Sequence, residues 1–296
     1  MVFEPDYGQL GKAVLDTVVA ASTQLPADVT KALQKAFENE PEGACKSALG
    51  HIVENIDLAN HKQTPICQDT GYPTFFIDVP PGWDKSRIRE LALEALRTAT
   101  SRAQLRPNAV NPFTGKNSGD NTGEYFPAVY FNDVSGETLT MKLLLKGGGS
   151  ENVSCQYKLP DPPLGAGRDL AGVEKVVLHG ILQAQGFGCG PGIIGIGIGG
   201  DRAQSYAIAK KQLLRPLDRD DSLRELVELE QSVFTKANSL GIGAMGFGGD
   251  TTVLGVKAGW GHRHPASFFV TIAYGCWALR RKVLTFGPDG AHIADS

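Results

Sequence analysis

The sequence has no long run of lysines or arginines, no long apolar run and no closely spaced cysteines. Its 29 basic residues face 32 acidic ones, which gives a formal net charge of -3. Proteins that bind nucleic acid or anionic membranes through charge carry a basic surface instead. No apolar stretch approaches the roughly 18 to 20 residues that cross a bilayer. These features argue against nucleic-acid and membrane partners and favour chemistry on a small molecule.

The cysteines give no sign of a disulfide framework. There are five of them, an odd number at long and irregular spacings, which indicates a reducing compartment. The first residues also lack the charged-then-apolar pattern of a secretory signal. We therefore expect a cytoplasmic protein in which some thiols serve as ligands.

The pattern of apolar residues predicts an α+β fold, with mixed sheets, flanking helices and functional residues on loops. The length of 296 residues and the apolar share of 42% are ample for one domain over residues 1–296, with room for two subdomains. Apolar residues recur at helical spacing in the first sixty residues and again over 84–105, 171–185, 202–214 and 222–240. Strands are predicted at 74–79, 128–131, 138–146, 193–198, 252–256, 268–274 and 282–286, and the second and third of these are predicted to form a hairpin.

Glycine is the compositional outlier, with 36 residues, roughly twice the usual share. It is concentrated in 147–149, 186–200 and 241–249, where the backbone must turn sharply or approach another group. Two segments, 190–195 and 241–246, match G-x-G-x-x-G. The first precedes its predicted strand, whereas the dinucleotide-binding motif follows one and opens a helix. A nucleotide site is therefore not favoured.

Three of the five cysteines stand on predicted loops or turns: Cys67 lies before Gln68-Asp69-Thr70-Gly71, Cys189 lies between two glycines, and Cys276 directly follows one. Cys45 falls in a helix and Cys155 lies outside such a loop, so both are interpreted as structural, as buried thiols usually are. The separations of 122 and 87 residues match no local zinc or ferredoxin spacing. Residue types alone thus leave both a shared metal site and ordinary packing open.

A resemblance to a known family favours the shared site. The chain resembles the α subunits of class I, iron–sulfur fumarases and L-tartrate dehydratases in four segments: Pro65-Ile66-Cys67-Gln68-Asp69-Thr70-Gly71, Lys146-Gly147-Gly148-Gly149-Ser150-Glu151-Asn152, Gly188-Cys189-Gly190-Pro191, and His262 through Arg281. The order and spacing of these segments match over nearly the whole chain. One departure is Gly190, because the family commonly has Cys-Pro-Pro at the second cysteine.

The resemblance implies a hydro-lyase that hydrates fumarate reversibly to L-malate. Its cofactor would be a 4Fe-4S cluster held by Cys67, Cys189 and Cys276, whose fourth iron has no protein ligand and acts as a Lewis acid. Dehydration of L-tartrate, or hydration of mesaconate, by the same chemistry remains an alternative. A non-enzymatic protein that holds zinc or a cluster for structure or sensing is another.

Matching positions imply the remaining roles. Asp69 and His264 correspond to proton-transfer candidates of the family, and Gln68, Arg106 and Gly149 to substrate-binding positions. A guanidinium suits a carboxylate because it pairs with both oxygens. The resemblance also implies that a second component, the β subunit with its swivel-type domain, is absent from this chain. We expect the two components to form an α2β2 assembly that binds a small dicarboxylate.

Overall fold

The computed structural model describes residues 4–220 and 223–295, which contain helices and two mixed sheets, as an α+β fold requires. The helices are α1 (Tyr7–Thr23), α2 (Ala27–Asn39), α3 (Ala44–Lys62), α4 (Lys85–Ser101), α5 (Gly148–Asn152), α6 (Leu170–Ala184), α7 (Arg202–Gln212) and α8 (Arg224–Asn238). The strands are β1 (Tyr72–Val79), β2 (Ala128–Asp133), β3 (Leu139–Lys146), β4 (Cys155–Lys158), β5 (Gly192–Gly199), β6 (Val253–Gly261), β7 (Phe269–Gly275), β8 (Arg280–Gly287) and β9 (Gly290–Ala294). Within the described ranges, no helix combines the length and the apolarity that crossing a membrane demands.

The chain divides into two compact units. One comprises Met1–Ala27, Asn55–Gly147 and Arg280–Ser296, and the other comprises Asp28–Glu54 and Gly148–Leu279. Each unit holds one sheet and has its own buried apolar cluster.

The first unit packs two helices against a five-stranded sheet with the order β2-β1-β3-β8-β9. Helix α4 begins where its sequence predicts, because the Asp84 side chain caps it and accepts bonds from Ser86 N at 2.8 Å and Arg87 N at 3.1 Å. The predicted apolar face of α4 is buried as expected: Ile88, Leu91, Ala95, Leu96 and Ala99. Together with α1 and alternate residues of β1, β3 and β8, it forms the core of this unit.

The predicted hairpin of the second and third strands is wrong. Strand β2 pairs in parallel with β1, and β3 pairs antiparallel with β1 on its other side, so β1 lies between them. The residues 132–136, predicted as the turn, partly continue β2, whose pairing extends to Val134 N donating to Val79 O at 3.1 Å. Strand β1 is thus an inner strand of the sheet, and it is buried on nearly its whole length.

The second unit is built on a four-stranded sheet with the order β4-β7-β5-β6, packed against α6, α7 and α8. Glycines in β5 allow α7 to approach its backbone. A Cβ atom at Gly195 would lie 2.3 Å from Ala209 O, and one at Gly197 would lie 2.2 Å from Ser205 O. Part of the glycine-rich 186–200 segment therefore serves the packing of a helix on a strand.

Strand directions bring several loops of the second unit to one end of its sheet. Strands β5 and β6 are parallel and begin at this end, while β7 is antiparallel to β5 and finishes there. The segments 185–192, 241–252 and 275–279 consequently share this end. We call it the thiol end, because it carries Cys189 and Cys276.

Candidate functional site

Cys67 lies in the first unit, on the loop between α3 and β1. Two bonds fix the residue before it: Ile66 N donates to Ser22 O at 3.1 Å, and Asn55 Nδ2 donates to Ile66 O at 2.9 Å. The Cys67 side chain is half-buried, which leaves the thiol on an ordered but accessible loop. This agrees with the loop position that the sequence predicts.

Asp69 forms an Asx turn in the same loop. Its Oδ1 atom accepts a bond from Gly71 N at 2.9 Å. Gly71 has a φ of +86°, and a Cβ atom there would lie 2.8 Å from the Leu145 carbonyl carbon, so glycine is required. Asp69 is half-buried and Gln68 is exposed. The turn therefore orients the Asp69 carboxylate.

A buried threonine ties this loop to Arg106. The Thr70 hydroxyl accepts a bond from Arg106 N at 3.1 Å and another from Asn108 Nδ2 at 3.0 Å. Asn121 Nδ2 in turn donates to Arg106 O at 2.7 Å. The backbone of Arg106 is therefore fixed beside the Cys67 loop, while its side chain is exposed. Sequence reasoning missed these three polar residues, although Thr70 lies inside the cysteine motif.

In the second unit, a backbone bond joins the segments that carry Cys189 and Cys276. Trp277 N donates to Cys189 O at 3.1 Å. Cys189 itself has φ 53° and ψ 57°, the left-handed conformation that residues with a side chain rarely adopt. Both cysteines are half-buried. The structure thus brings two of the three predicted ligands together at the thiol end.

Tyr274 fills the space beneath the Cys189 loop. A Cβ atom at either Gly188 or Gly192 would lie 2.5 Å from the Tyr274 ring, so these glycines make room for it. Burial raises the pKa of the Tyr274 hydroxyl, and the charges of Cys276 and Cys189 raise it further. Tyr274 is a residue that sequence reasoning missed, and its signal would have been the glycines on both sides of Cys189.

Gly149 lies near the Cys189 sulfur. It stands in the short helix α5, and a Cβ atom added there would lie 3.9 Å from Cys189 Sγ and 3.7 Å from Phe187 O. Both distances are ordinary van der Waals contacts, so position 149 lies directly beside the Cys189 sulfur. Gly149 and two predicted ligands belong to one cluster of loops.

His264 lies at the other end of the same sheet. It follows β6 and precedes β7, whereas Cys276 comes after the far end of β7. A strand of this length spans about 20 Å, at roughly 3.3 Å per residue. His264 Nδ1 accepts a bond from Ala266 N at 3.1 Å, so a neutral imidazole carries its proton on Nε2. Nearness in sequence thus does not bring His264 to the thiols of its own unit, and its role stays a prediction.

The other two cysteines have different surroundings. Cys45 is buried, and its sulfur accepts a bond from Ala244 N at 3.1 Å. Burial is the main cause that raises its pKa to about 11. Cys155 is half-buried in β4, where burial raises the pKa of its thiol, opposed by a hydrogen bond with Tyr157. Neither cysteine stands on a glycine-flanked loop.

The predicted ligands are all cysteines, and soft thiolates suit an iron–sulfur cluster better than a single hard ion. Cys67 lies on a loop of the first unit, and Cys189 and Cys276 lie at the thiol end of the second. In the part of the chain that the structure describes, no three His, Cys, Asp or Glu side chains are grouped to hold one metal ion.

Comparison with known proteins identifies the family of the chain. The family model "Fumarate hydratase (Fumerase)" matches residues 11–285. A Geobacillus stearothermophilus protein described as "Putative fumarate hydratase class I" is 47% identical over 289 residues, which cover 96% of this chain and 56% of that protein. The "Putative L(+)-tartrate dehydratase subunit alpha" of Methanocaldococcus jannaschii is 36% identical, over 93% of this chain and 96% of its own length. The "L(+)-tartrate dehydratase subunit alpha" of Escherichia coli strain UTI89 is 30% identical, over 95% and 92%.

A family model that covers most of the chain, together with these identities, defines the class of protein: the chain belongs to the fumarate hydratase family of hydro-lyases. It spans about half the length of the Geobacillus protein and nearly all of the two tartrate dehydratase subunits.

Proposed function

We propose that the chain is the cluster-binding component of a class I fumarate hydratase, which adds water to fumarate to give L-malate and catalyses the reverse reaction. Cys67, Cys189 and Cys276 would hold a 4Fe-4S cluster. When bound, such a cluster supplies a Lewis acid for the hydroxyl of a 2-hydroxy acid through an iron that lacks a protein ligand. The thiolate donor set and the family membership support this assignment.

The observation that carries the proposal is the bond between the Thr70 hydroxyl and Arg106 N, at 3.1 Å. It holds a guanidinium-bearing residue next to the loop of Cys67 and Asp69. Arg106 would pair with one substrate carboxylate through two parallel bonds. A cation, an acid and a thiol on linked loops are what a dicarboxylate hydratase needs.

Asp69 would transfer a proton to the departing hydroxyl of malate, or take one from the incoming water in the reverse direction. Its bond from Gly71 N orients the carboxylate. Gln68 and Gly149 would contribute to substrate binding, Gly149 through its backbone N–H. Hydration also delivers a proton to carbon, and we assign that step to a second component. Two of the relatives are named subunit alpha, which supports such a partner.

A second candidate is the dehydration of L-tartrate. It is favoured by the names of two relatives, which are 36% and 30% identical to this chain. The greater identity, 47%, is to the protein named for fumarate, so fumarate stays the first choice.

The test is an anaerobic assay. The chain is reconstituted with iron and sulfide, with and without the second component, and supplied with fumarate, L-tartrate or mesaconate. We expect hydration of fumarate only in the presence of both components, saturating near one partner per chain. Preference for tartrate would select the second candidate. Full turnover by the chain alone, with the partner shown absent by mass spectrometry, would refute the division into two components.

A further inference from the structure

A buried carboxylate outside the candidate site holds a loop that contacts the Cys189 segment. Glu40 directly follows α2 and is 3% exposed. Its Oε1 accepts a bond from Asp250 N at 2.7 Å, and its Oε2 accepts bonds from Thr251 N at 3.1 Å and Thr251 Oγ1 at 2.8 Å. All three donors are neutral. Burying a carboxylate is costly unless hydrogen bonds compensate, so packing alone gives no reason for a glutamate here.

The residues that Glu40 holds belong to a glycine loop, which we define as residues 241–251. Gly249 contacts the glutamate, since a Cβ atom there would lie 2.1 Å from Glu40 Oε1 and 2.7 Å from Cys45 Sγ. Cys45 binds the same loop through the bond from Ala244 N. Glu40 and Cys45 thus bind the glycine loop at two points. Both side chains approach the Gly249 backbone so closely that no side chain would fit at position 249.

On its other side the glycine loop contacts both flanks of Cys189. Met245 N donates to Gly190 O at 3.1 Å. A Cβ atom at Gly186 would lie 2.5 Å from Met245 O. Met245 itself has a φ of +55°, a conformation that residues with a side chain hold only where their surroundings fix it. A displacement of the glycine loop would therefore displace Gly186 or Gly190, and with them Cys189.

We propose that Glu40, assisted by Cys45, is a positioning residue for the Cys189 thiol and acts through the glycine loop. The proposal rests on the function proposed above, in which Cys189 is a cluster ligand. Glu40 is buried and bonded to the glycine loop, so it would act on Cys189 through that loop. Its effect is to keep Cys189 in the left-handed conformation that presents the sulfur.

The test compares Glu40→Gln with Glu42→Gln in the full chain. Glu42 lies two residues further on, is exposed and pairs with Lys46, so it is a matched control. Glutamine is similar in size, but its NH2 group cannot accept the bonds of the glycine loop. We expect the reconstituted Glu40→Gln chain to lose iron to a ferrous chelator about tenfold faster, as loss of one bond to a charged group would give. Glu42→Gln should behave like the wild type.

A second measurement needs no cluster. In the iron-free chain, alkylation of Cys189, followed by peptide mass spectrometry, should change in rate with Glu40→Gln, while alkylation of Cys67 should not. A merely structural role would lower the melting temperature yet leave both rates unchanged in the folded protein. Equal iron-release and alkylation rates in Glu40→Gln and wild type would overturn the proposal.

Two further variants complete the test. Thr251→Val removes one of the three bonds to Glu40 and keeps the backbone donors, so it replaces Glu40→Gln if that chain does not fold. We expect about threefold faster iron release, and a wild-type rate would overturn the proposal.

Cys189→Ser separates this proposal from the proposed function. A Cys189→Ser chain with full iron content would refute the ligand assignment. Loss of iron in Cys189→Ser, with a wild-type rate in Glu40→Gln, would refute the positioning role alone.

Discussion

The Trp277 N–H donates to the Cys189 carbonyl at 3.1 Å, which places the residue after Cys276 against the backbone of Cys189. Two cysteines separated by 87 positions are thereby held on adjoining segments of one unit. Because this bond involves backbone atoms only, it is unaffected by substitution of either thiol, and both thiols can be tested without breaking it.

We expect Cys67→Ser, Cys189→Ser and Cys276→Ser each to abolish cluster binding and activity together, since a serine hydroxyl is a poor substitute for a soft thiolate. Iron and sulfide content after anaerobic reconstitution is the measurement. Cys155→Ser is the control, because Cys155 lies in β4 and not on a glycine-flanked loop. A chain that keeps its cluster without Cys189, or loses it without Cys155, would contradict the ligand set.

Asp69→Asn should keep the iron content and lose turnover by a factor of about 10² to 10⁴, the usual contribution of a general acid or base. Asparagine retains an Oδ1 acceptor for Gly71 N, so the Asx turn seen at 2.9 Å is preserved. Asp69→Ala removes both the turn and the proton-transfer group. If Asp69→Asn turns over normally while Asp69→Ala does not, Asp69 serves the turn alone.

Arg106→Lys should raise the KM for the dicarboxylate about tenfold, because an ammonium cannot reproduce paired bonds to a carboxylate. The kcat should change less. The nearby exposed Arg102 provides the control Arg102→Lys, which should leave KM unchanged. Equal KM values for Arg106→Lys and wild type would remove Arg106 from the substrate site.

Alkaline pH should lower the free energy of unfolding of the metal-free chain, because the buried Cys45 thiol loses its proton. Its pKa is raised from 9.0 to about 11, chiefly by burial, so the folded chain holds a proton that the unfolded chain loses first. The raised pKa of Cys45 therefore contributes to the free energy of unfolding. This contribution is fully present below pH 9 and is lost as the pH rises through about 11. It amounts to about 2 to 3 kcal/mol. Denaturant titrations across this interval should show a steeper fall in the free energy of unfolding for wild type than for Cys45→Ser. Parallel curves would exclude this effect.

The sequence predicts the helices and most strands because their apolar periodicity reports directly on burial, as in α4 with its Asp84 cap. The order of the strands within a sheet is harder to predict from the sequence. A turn-like segment after β2 favours a hairpin in isolation, yet the structure places β1, which is buried along its length, between β2 and β3. Strands β4 and β9 carry little apolar pattern and were not predicted.

The candidate site is likewise only partly predictable from the sequence. Cysteines beside glycines mark its loops in the sequence, but the residues that hold those loops do not stand out. Thr70 holds its loop through a hydrogen bond with Arg106 N, and the Tyr274 ring fills the volume beside Gly188 and Gly192. Both residues depend on partners far away in the chain. His264 is near Cys276 in sequence but distant from it in the fold. The twelve-residue separation of the two positions includes the whole of strand β7.

The contact of Tyr274 with Gly188 and Gly192 also limits how this loop can evolve or be redesigned. The ring fills the volume that two side chains would need, so the three positions are constrained as a set. A chain in which either glycine acquires a side chain must also exchange the tyrosine for a smaller residue. We expect libraries randomised at 188, 192 and 274 together to yield cluster-binding variants that no single substitution at 188 or 192 can reach.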